Sequence, residues 1–192
     1  MSDPRRGARE TGETGEAGGA ELNRLRGLAT VGAEHAAAVL ARLVGRPVQA
    51  GPPSLCELHA AQSPGEGSSG VLFEAEGHVS GVVAILLPPA ARDAVLRGLL
   101  GQPDADANSE AAESALRELA NIVASHTVSA IADTLDARIL LSVPKLVMEG
   151  AEGALASIVS QRLQRGAALR IDTELSDREG QFRSVLVLVA DA

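Results

Sequence analysis

The hexapeptide Leu25-Arg26-Gly27-Leu28-Ala29-Thr30 returns as Leu116-Arg117-Glu118-Leu119-Ala120-Asn121, at an offset of 91 residues. At the same offset His35 matches His126, Leu40 matches Ile131 and Pro53 matches Pro144. The surroundings of each copy follow one order: an amphipathic helix, an extended stretch, then two β-prone runs joined by a turn. A duplicated unit implies pseudo-symmetry and paired faces. The expected fold class is α/β in its α+β form. Two pseudo-symmetric helix–strand–hairpin half-units, about residues 21–101 and about residues 109–192, share one sheet with the long helices packed on it.

The first half opens with a helix over residues 21–44, with Leu25, Leu28, Gly32, Ala36, Val39 and Leu43 as its apolar side. Gly45 and Arg46-Pro47 end it. Residues 47–59 read as extended, and Pro52-Pro53 keeps them off a central ladder position. The loop over 63–70 is rich in glycine but has no following Gly-Lys-Ser/Thr, so it is not a phosphate-binding P-loop. A hairpin follows over 71–76 and 78–87, and Pro88-Pro89 opens a short helix ending at Leu100. A polar linker over 102–109 offers Asn108 or Ser109 as N-cap for the second long helix, which runs to residue 136. A strand over 137–143 leads to Pro144, a weak helix covers 153–163, and a hairpin over 168–175 and 181–189 closes the chain. Residues 1–20 are charged and glycine-rich, with almost no large apolar group. They are expected to form a disordered tail, because they bury too little to offset chain entropy.

Composition removes several functions. The formal charge of -8 and the pI near 5.0 oppose binding to phosphate backbones and anionic lipid. Two Phe with no Trp or Tyr provide no platform for stacking bases. Nucleic acid and membrane surfaces are therefore not expected partners. Cys56 stands alone, so no disulfide framework forms within the chain and a reducing compartment fits best. No uninterrupted apolar run reaches the roughly 18 residues that span a bilayer. The N-terminus also lacks the apolar segment of a secretory signal. The expected location is cytoplasmic.

At 100° per residue, Leu116, Leu119, Val123, Thr127, Ala130 and Thr134 gather on one side of the second long helix, flanked by Ala120 and Ile131. Ser114, Glu118, Asn121, Ser125 and Ala132 lie opposite. Glu118 and Asn121, three residues apart, are thus neighbours on the face turned from the core. Ser114, three residues, Glu118, two residues, Asn121, twenty-two residues and Pro144 together resemble the signature of the CheC/CheX/FliY family of chemotaxis phosphatases. That signature is Asp or Ser, then Glu, Asn and Pro at the same gaps. The resemblance extends over residues 21–192, since CheC-type members carry two such half-units.

The resemblance implies a phosphatase that removes the phosphoryl group from the aspartyl phosphate of a CheY-like response regulator. It implies that Asn121 orients the attacking water and that Glu118 docks the regulator, through the regulator's lysine. Ser114 would sit at the edge of the helix face, and Pro144 would shape the segment beside it. No cofactor of its own is implied; Mg2+ belongs to the regulator. A CheD-like receptor deamidase is a second implied partner. The alternative is a non-catalytic adaptor of the same fold, binding a regulator, a deamidase or a flagellar-switch component. One chain supplies both half-units, so a monomer is expected.

The chemistry is coherent from first principles. An acyl phosphate is already activated, and what it lacks is a water held in line with the breaking bond. A carboxamide has acceptor and donor groups to aim such a water without acting as a strong base. A carboxylate can pair with a cation across an interface.

The first half departs from the signature. Gly27 and Thr30 stand where glutamate and asparagine are needed, although Pro53 is in place. That half is expected to be catalytically silent or nearly so. Cys56 and His59 have a C-x-x-H spacing but no second ligand pair, so neither zinc nor a thiol nucleophile is expected there. His35 and His126 read as packing or surface residues. Asp104, Asp106 and Glu110 lack the order and the glycine of a calcium loop. No metal site is expected.

Overall fold

A computed structural model of the chain describes residues 10–56, 67–101, 106–166 and 168–191. The first half holds α1 (Glu10–Val44), β1 (Gln49–Ala50), β2 (Ser54–Cys56), β3 (Ser69–Gly77), β4 (Gly81–Leu87) and α2 (Pro89–Leu100). The second holds α3 (Glu110–Leu135), β5 (Ile139–Leu141), β6 (Lys145–Val147), α4 (Ala151–Arg165), β7 (Ala168–Ser176) and β8 (Arg183–Asp191).

One boundary and one expectation differ from the reading of the sequence. Helix α1 begins at Glu10 instead of near residue 21; residues 1–9 lie outside the described residues. Elongating a helix that is already nucleated adds one hydrogen bond per residue and needs no new nucleus, which offsets the poor propensity of this glycine-rich stretch. The segment Leu22–Val44 also proves long and apolar enough, by length and composition, to cross a membrane. Its Ala29, Ala33, Ala36 and Leu40 are instead fully buried inside the protein. Arg24, Arg26, Glu34 and Arg42 lie along the same segment. That pattern is that of a core helix.

The strands form one antiparallel sheet in the order β1-β7-β8-β4-β3-β5, with β2 also pairing β7 and β6 also pairing β3. This order reads the same from either end once the halves are exchanged. Strands β1 and β2 of the first half cap β7 of the second, and β5 and β6 of the second cap β3 of the first. Register confirms the symmetry. Leu72 pairs with Ala84 and Lys145, just as Asp172 pairs with Val187 and Ser54. Ala84 and Val187 then pair with each other, which puts the pseudo-two-fold axis between them.

Helices α1, α2 and α3 cover one face of the sheet, meeting Val71, Phe73, Val83, Ile85 and Leu186. Helix α4 covers the other, meeting Leu72, Ala84, Leu86 and Val187 through Leu155 and Val159. Strand β4 is covered on both faces, which explains its unbroken apolar run GVVAILL. Helices α1 and α3 approach closely because small residues line their contact. A Cβ on Gly32 would lie 3.0 Å from Thr127 Cγ2 and 3.0 Å from Ile131 Cδ1. Gly32→Val is therefore expected to destabilise the protein by about 1–3 kcal/mol through overpacking. Gly27→Ala, where a Cβ meets nothing within 4 Å, is expected to stabilise it by up to about 1 kcal/mol. Urea unfolding of the two variants checks both signs.

Candidate functional site

Helix α3 is a rigid platform. Ser109 caps it, accepting a hydrogen bond from the Ala112 N–H at 3.2 Å, and Glu110 and Glu113 in the first turn complement the helix dipole. Asp136, in the left-handed region at φ 48°, ends it. The expected core face is buried through Leu116, Leu119, Val123, Thr127 and Ala130, with Ala120 and Ile131. Thr134 departs from that expectation: it is exposed, and its hydroxyl donates to the Ala130 carbonyl at 2.8 Å. Ser114, Glu118, Asn121 and Ser125 are all exposed, in one stripe along the outer face, and Ala132 is half-buried.

Neither the Glu118 nor the Asn121 side chain makes a hydrogen bond or ion pair with any described residue. The nearest cation in sequence, Arg117, is held by Glu113 at 2.8 Å and does not neutralise Glu118. A carboxylate and a carboxamide thus stand side by side on a rigid helix with their hydrogen-bonding capacity unspent. They can accept a cation and position a small hydrogen-bonding molecule from outside.

Pro144 lies where the edge strand breaks. Leu141 pairs with Ala75 and Lys145 pairs with Leu72. Residues 142–144 therefore face only Phe73 and Glu74, which makes a β-bulge of one extra residue. The Ser142 N–H donates to the Glu74 carbonyl at 2.8 Å, and the Glu74 N–H donates to Ser142 Oγ at 2.9 Å. Proline has no N–H with which to continue the ladder. The expected strand over 137–143 is consequently shortened to β5, and the expected connecting stretch after Pro144 holds a second short strand, β6; both pack beneath α3. Val143 in the bulge is 85% exposed, the most exposed large hydrophobic residue among those described. Sequence reasoning missed this residue, because the bulge ends the alternation that assigns strand residues to faces.

The first half has the same bulge. Gly51, Pro52 and Pro53 interrupt β1 and β2, and the Gly51 N–H donates to the Glu174 carbonyl at 2.8 Å. Its helix face differs. Thr30 is exposed, but its hydroxyl is spent on the Arg26 carbonyl at 3.0 Å, and Gly27 presents no side chain. The scaffold is duplicated, whereas the pair of polar groups is present once.

The remaining candidates do not assemble. His35 and His126 are exposed, and His35 Nδ1 lies 3.0 Å from the Val31 carbonyl of its own helix. Cys56 is half-buried at the end of β2, and its sequence partner His59 lies outside the described residues. So does Asp104, while Asp106 accepts from the Asn108 N–H at 2.9 Å in the turn before α3.

The CheC-like family profile matches residues 112–148, the span from α3 through the Pro144 bulge. The chain is 26% identical over 175 residues to the CheY-P phosphatase CheC of Bacillus subtilis, covering 84% of this chain and 82% of that protein. Among solved structures it is similar to a CheC-like superfamily protein from Shewanella sp. PV-4, with a TM-score of 0.64 at 13% identity over 86% of this chain and 97% of the other. It is also similar to CheX in the CheX–CheY–BeF3–Mg2+ complex from Borrelia burgdorferi, with a TM-score of 0.57 at 15% identity over 82% of this chain and 92% of the other. Fold, motif span and relatives agree in one likeness: residues 112–148 match the CheC-like family, and the whole chain is similar to CheC and to CheC-like and CheX structures.

Proposed function

We propose that this protein is a cytoplasmic phosphatase acting on the aspartyl phosphate of a CheY-like response regulator, with one active site on α3. The observation that carries the reading is the exposed, unspent pair Glu118 and Asn121 inside the span matched by the CheC-like profile. Asn121 aims the attacking water at phosphorus, and Glu118 docks a cation of the regulator beside it. Ser114 edges the same stripe, and Pro144 shapes the neighbouring bulge. Metal chemistry belongs to the regulator, in keeping with the Mg2+ in the similar CheX–CheY complex. The spent hydroxyl of Thr30 and the absent side chain at Gly27 support a silent first half. A CheD-like deamidase as second partner and a monomeric state belong to the same proposal.

The docking role separates from the chemistry in steady-state kinetics. Removing one charge-assisted contact across an interface costs roughly 1.5–3 kcal/mol. Glu118→Ala is therefore expected to raise KM for the phosphorylated regulator about tenfold or more, with little change in kcat. An unchanged KM would remove Glu118 from the interface.

A further inference from the structure

The pseudo-two-fold axis relates places as well as residues. Helix α2 fills a seat between α1 and α3, where Ala91, Val95 and Leu96 are buried with Leu40, Leu116 and Leu119. By the repeat, the counterparts of those last three are Ile131, Leu25 and Leu28, at the other end of the helix pair. No described helix lies on that second seat. An apolar cleft of about 90 Å³ opens there, floored by Leu25, Leu28, Ile131 and Leu188, and continues into a mouth of about 550 Å³ that includes Arg24, His78 and Asp191. Burial records the asymmetry: Leu116 and Leu119 are 0% and 1% exposed, whereas Leu25 and Leu28 remain partly exposed.

We infer that this cleft is the docking site for an amphipathic helix of a partner protein, with small and branched apolar residues at the spacing of Ala91, Val95 and Leu96 and a carboxylate on its rim. The occupied seat shows what chemistry such a surface takes, since the same fold buries α2 at the equivalent place. A helix laid into a groove is read through such apolar anchors. A second copy cannot donate its α2, because that helix is already buried in its own seat. Charge sets the rim. Asp191 is bound to Arg162 at 2.5 Å, while Arg24 is exposed and pairs with no described residue. Among the described residues lining the mouth the unspent charge is therefore positive, and it complements a carboxylate. This site is distinct from the α3 stripe and does not depend on the phosphatase reading.

Two labelled synthetic peptides test it: one with the sequence of residues 88–101, the other with glutamate replacing both arginines of that sequence. Each is titrated with the full-length chain by fluorescence anisotropy, and hydrogen exchange maps the contact. Saturable binding is expected, with several-fold preference for the acidic peptide and protection at residues 24–29 and 128–135. Leu28→Glu should weaken binding at least tenfold. Arg24→Glu, a surface change that leaves the core intact, should abolish the preference for the acidic peptide. Absence of saturable binding overturns the inference. So does binding that neither substitution alters, or protection confined to residues 37–44 and 116–120, which would mean exchange with the chain's own α2.

Discussion

Asn121→Ala is expected to lower kcat for dephosphorylation of the regulator by about 100-fold while leaving KM within about twofold. The magnitude follows from the role proposed for the residue. Hydrolysis of an acyl phosphate needs a water in line with the leaving carboxylate, and a misplacement of roughly 1 Å costs on the order of 100-fold. The carboxamide is exposed and has no competing partner among the described residues, so nothing else on the stripe replaces its role. A residue that acts only in the transition state lowers kcat and kcat/KM together. Asn121→Asp is expected to be as damaging despite its near-identical shape. It loses both amide donors and puts a second anion beside Glu118, facing the phosphoryl group. Retained binding of the substituted protein to a beryllofluoride-loaded regulator would show that the loss lies in chemistry. Activity surviving in Asn121→Ala would move the reacting centre elsewhere.

The second large effect is on stability, on the opposite face of the sheet. Arg170 of β7 is 3% exposed and holds two carboxylates. Its Nε and Nη2 meet Asp172 at 2.7 and 2.9 Å, and its Nη1 meets Glu152 of α4 at 2.7 Å. Burial alone would favour the neutral guanidinium. The hydrogen bonds and charges of Asp172 and Glu152 outweigh it and raise the pKa above its ordinary value, so the cation is held. Arg170→Ala strands two carboxylates, one buried and one mostly so. Breaking a buried ion pair from one side costs about 3–5 kcal/mol. For a chain of this size that lowers Tm by about 6–20 °C. Arg170→Lys is expected to recover only part of the loss, because an ammonium cannot reproduce the two-pronged contact with Asp172. A thermal melt within about 2 °C of wild type for Arg170→Ala would show that the trio is not a structural tie between α4 and the sheet.

Arg170 also shows where sequence reading stops. The repeat, the two hairpins and the outward face of α3 were all legible, because each rests on a local period or on a match between halves. The exchange of edge strands about Ala84 and Val187 was not legible, because spacing alone does not give the order of strands in the open sheet. The pattern Arg170-Ile171-Asp172-Thr173 reads instead as a strand with one wet face. Only the placement of α4, whose Glu152 reaches across to Arg170, turns that face into an interior. The bulge at Pro144 was half legible. The proline announced a break, but presenting Val143 to solvent depends on register against Phe73 and Glu74, which no local rule supplies. The start of α1 at Glu10 was hidden for another reason: propensity describes isolated segments, whereas an existing helix propagates past weak residues.

The site itself divides the same way. Glu118 and Asn121 were legible as neighbours from helical spacing alone, and their resemblance to the CheC-like signature from the gap to Pro144. The orientation of Thr30 needed the structure, because its hydroxyl could have turned outward and instead bonds to the Arg26 carbonyl.

The most direct test of the central claim is the decay of one phosphorylated CheY-like regulator, from its own genome or from Bacillus subtilis, with Mg2+ and increasing amounts of this protein. The expected result is a decay rate that climbs in proportion to the protein added and returns to the regulator's own rate with Asn121→Ala. A regulator that binds the protein yet loses its phosphoryl group no faster than alone would contradict the claim and leave an adaptor of the same fold.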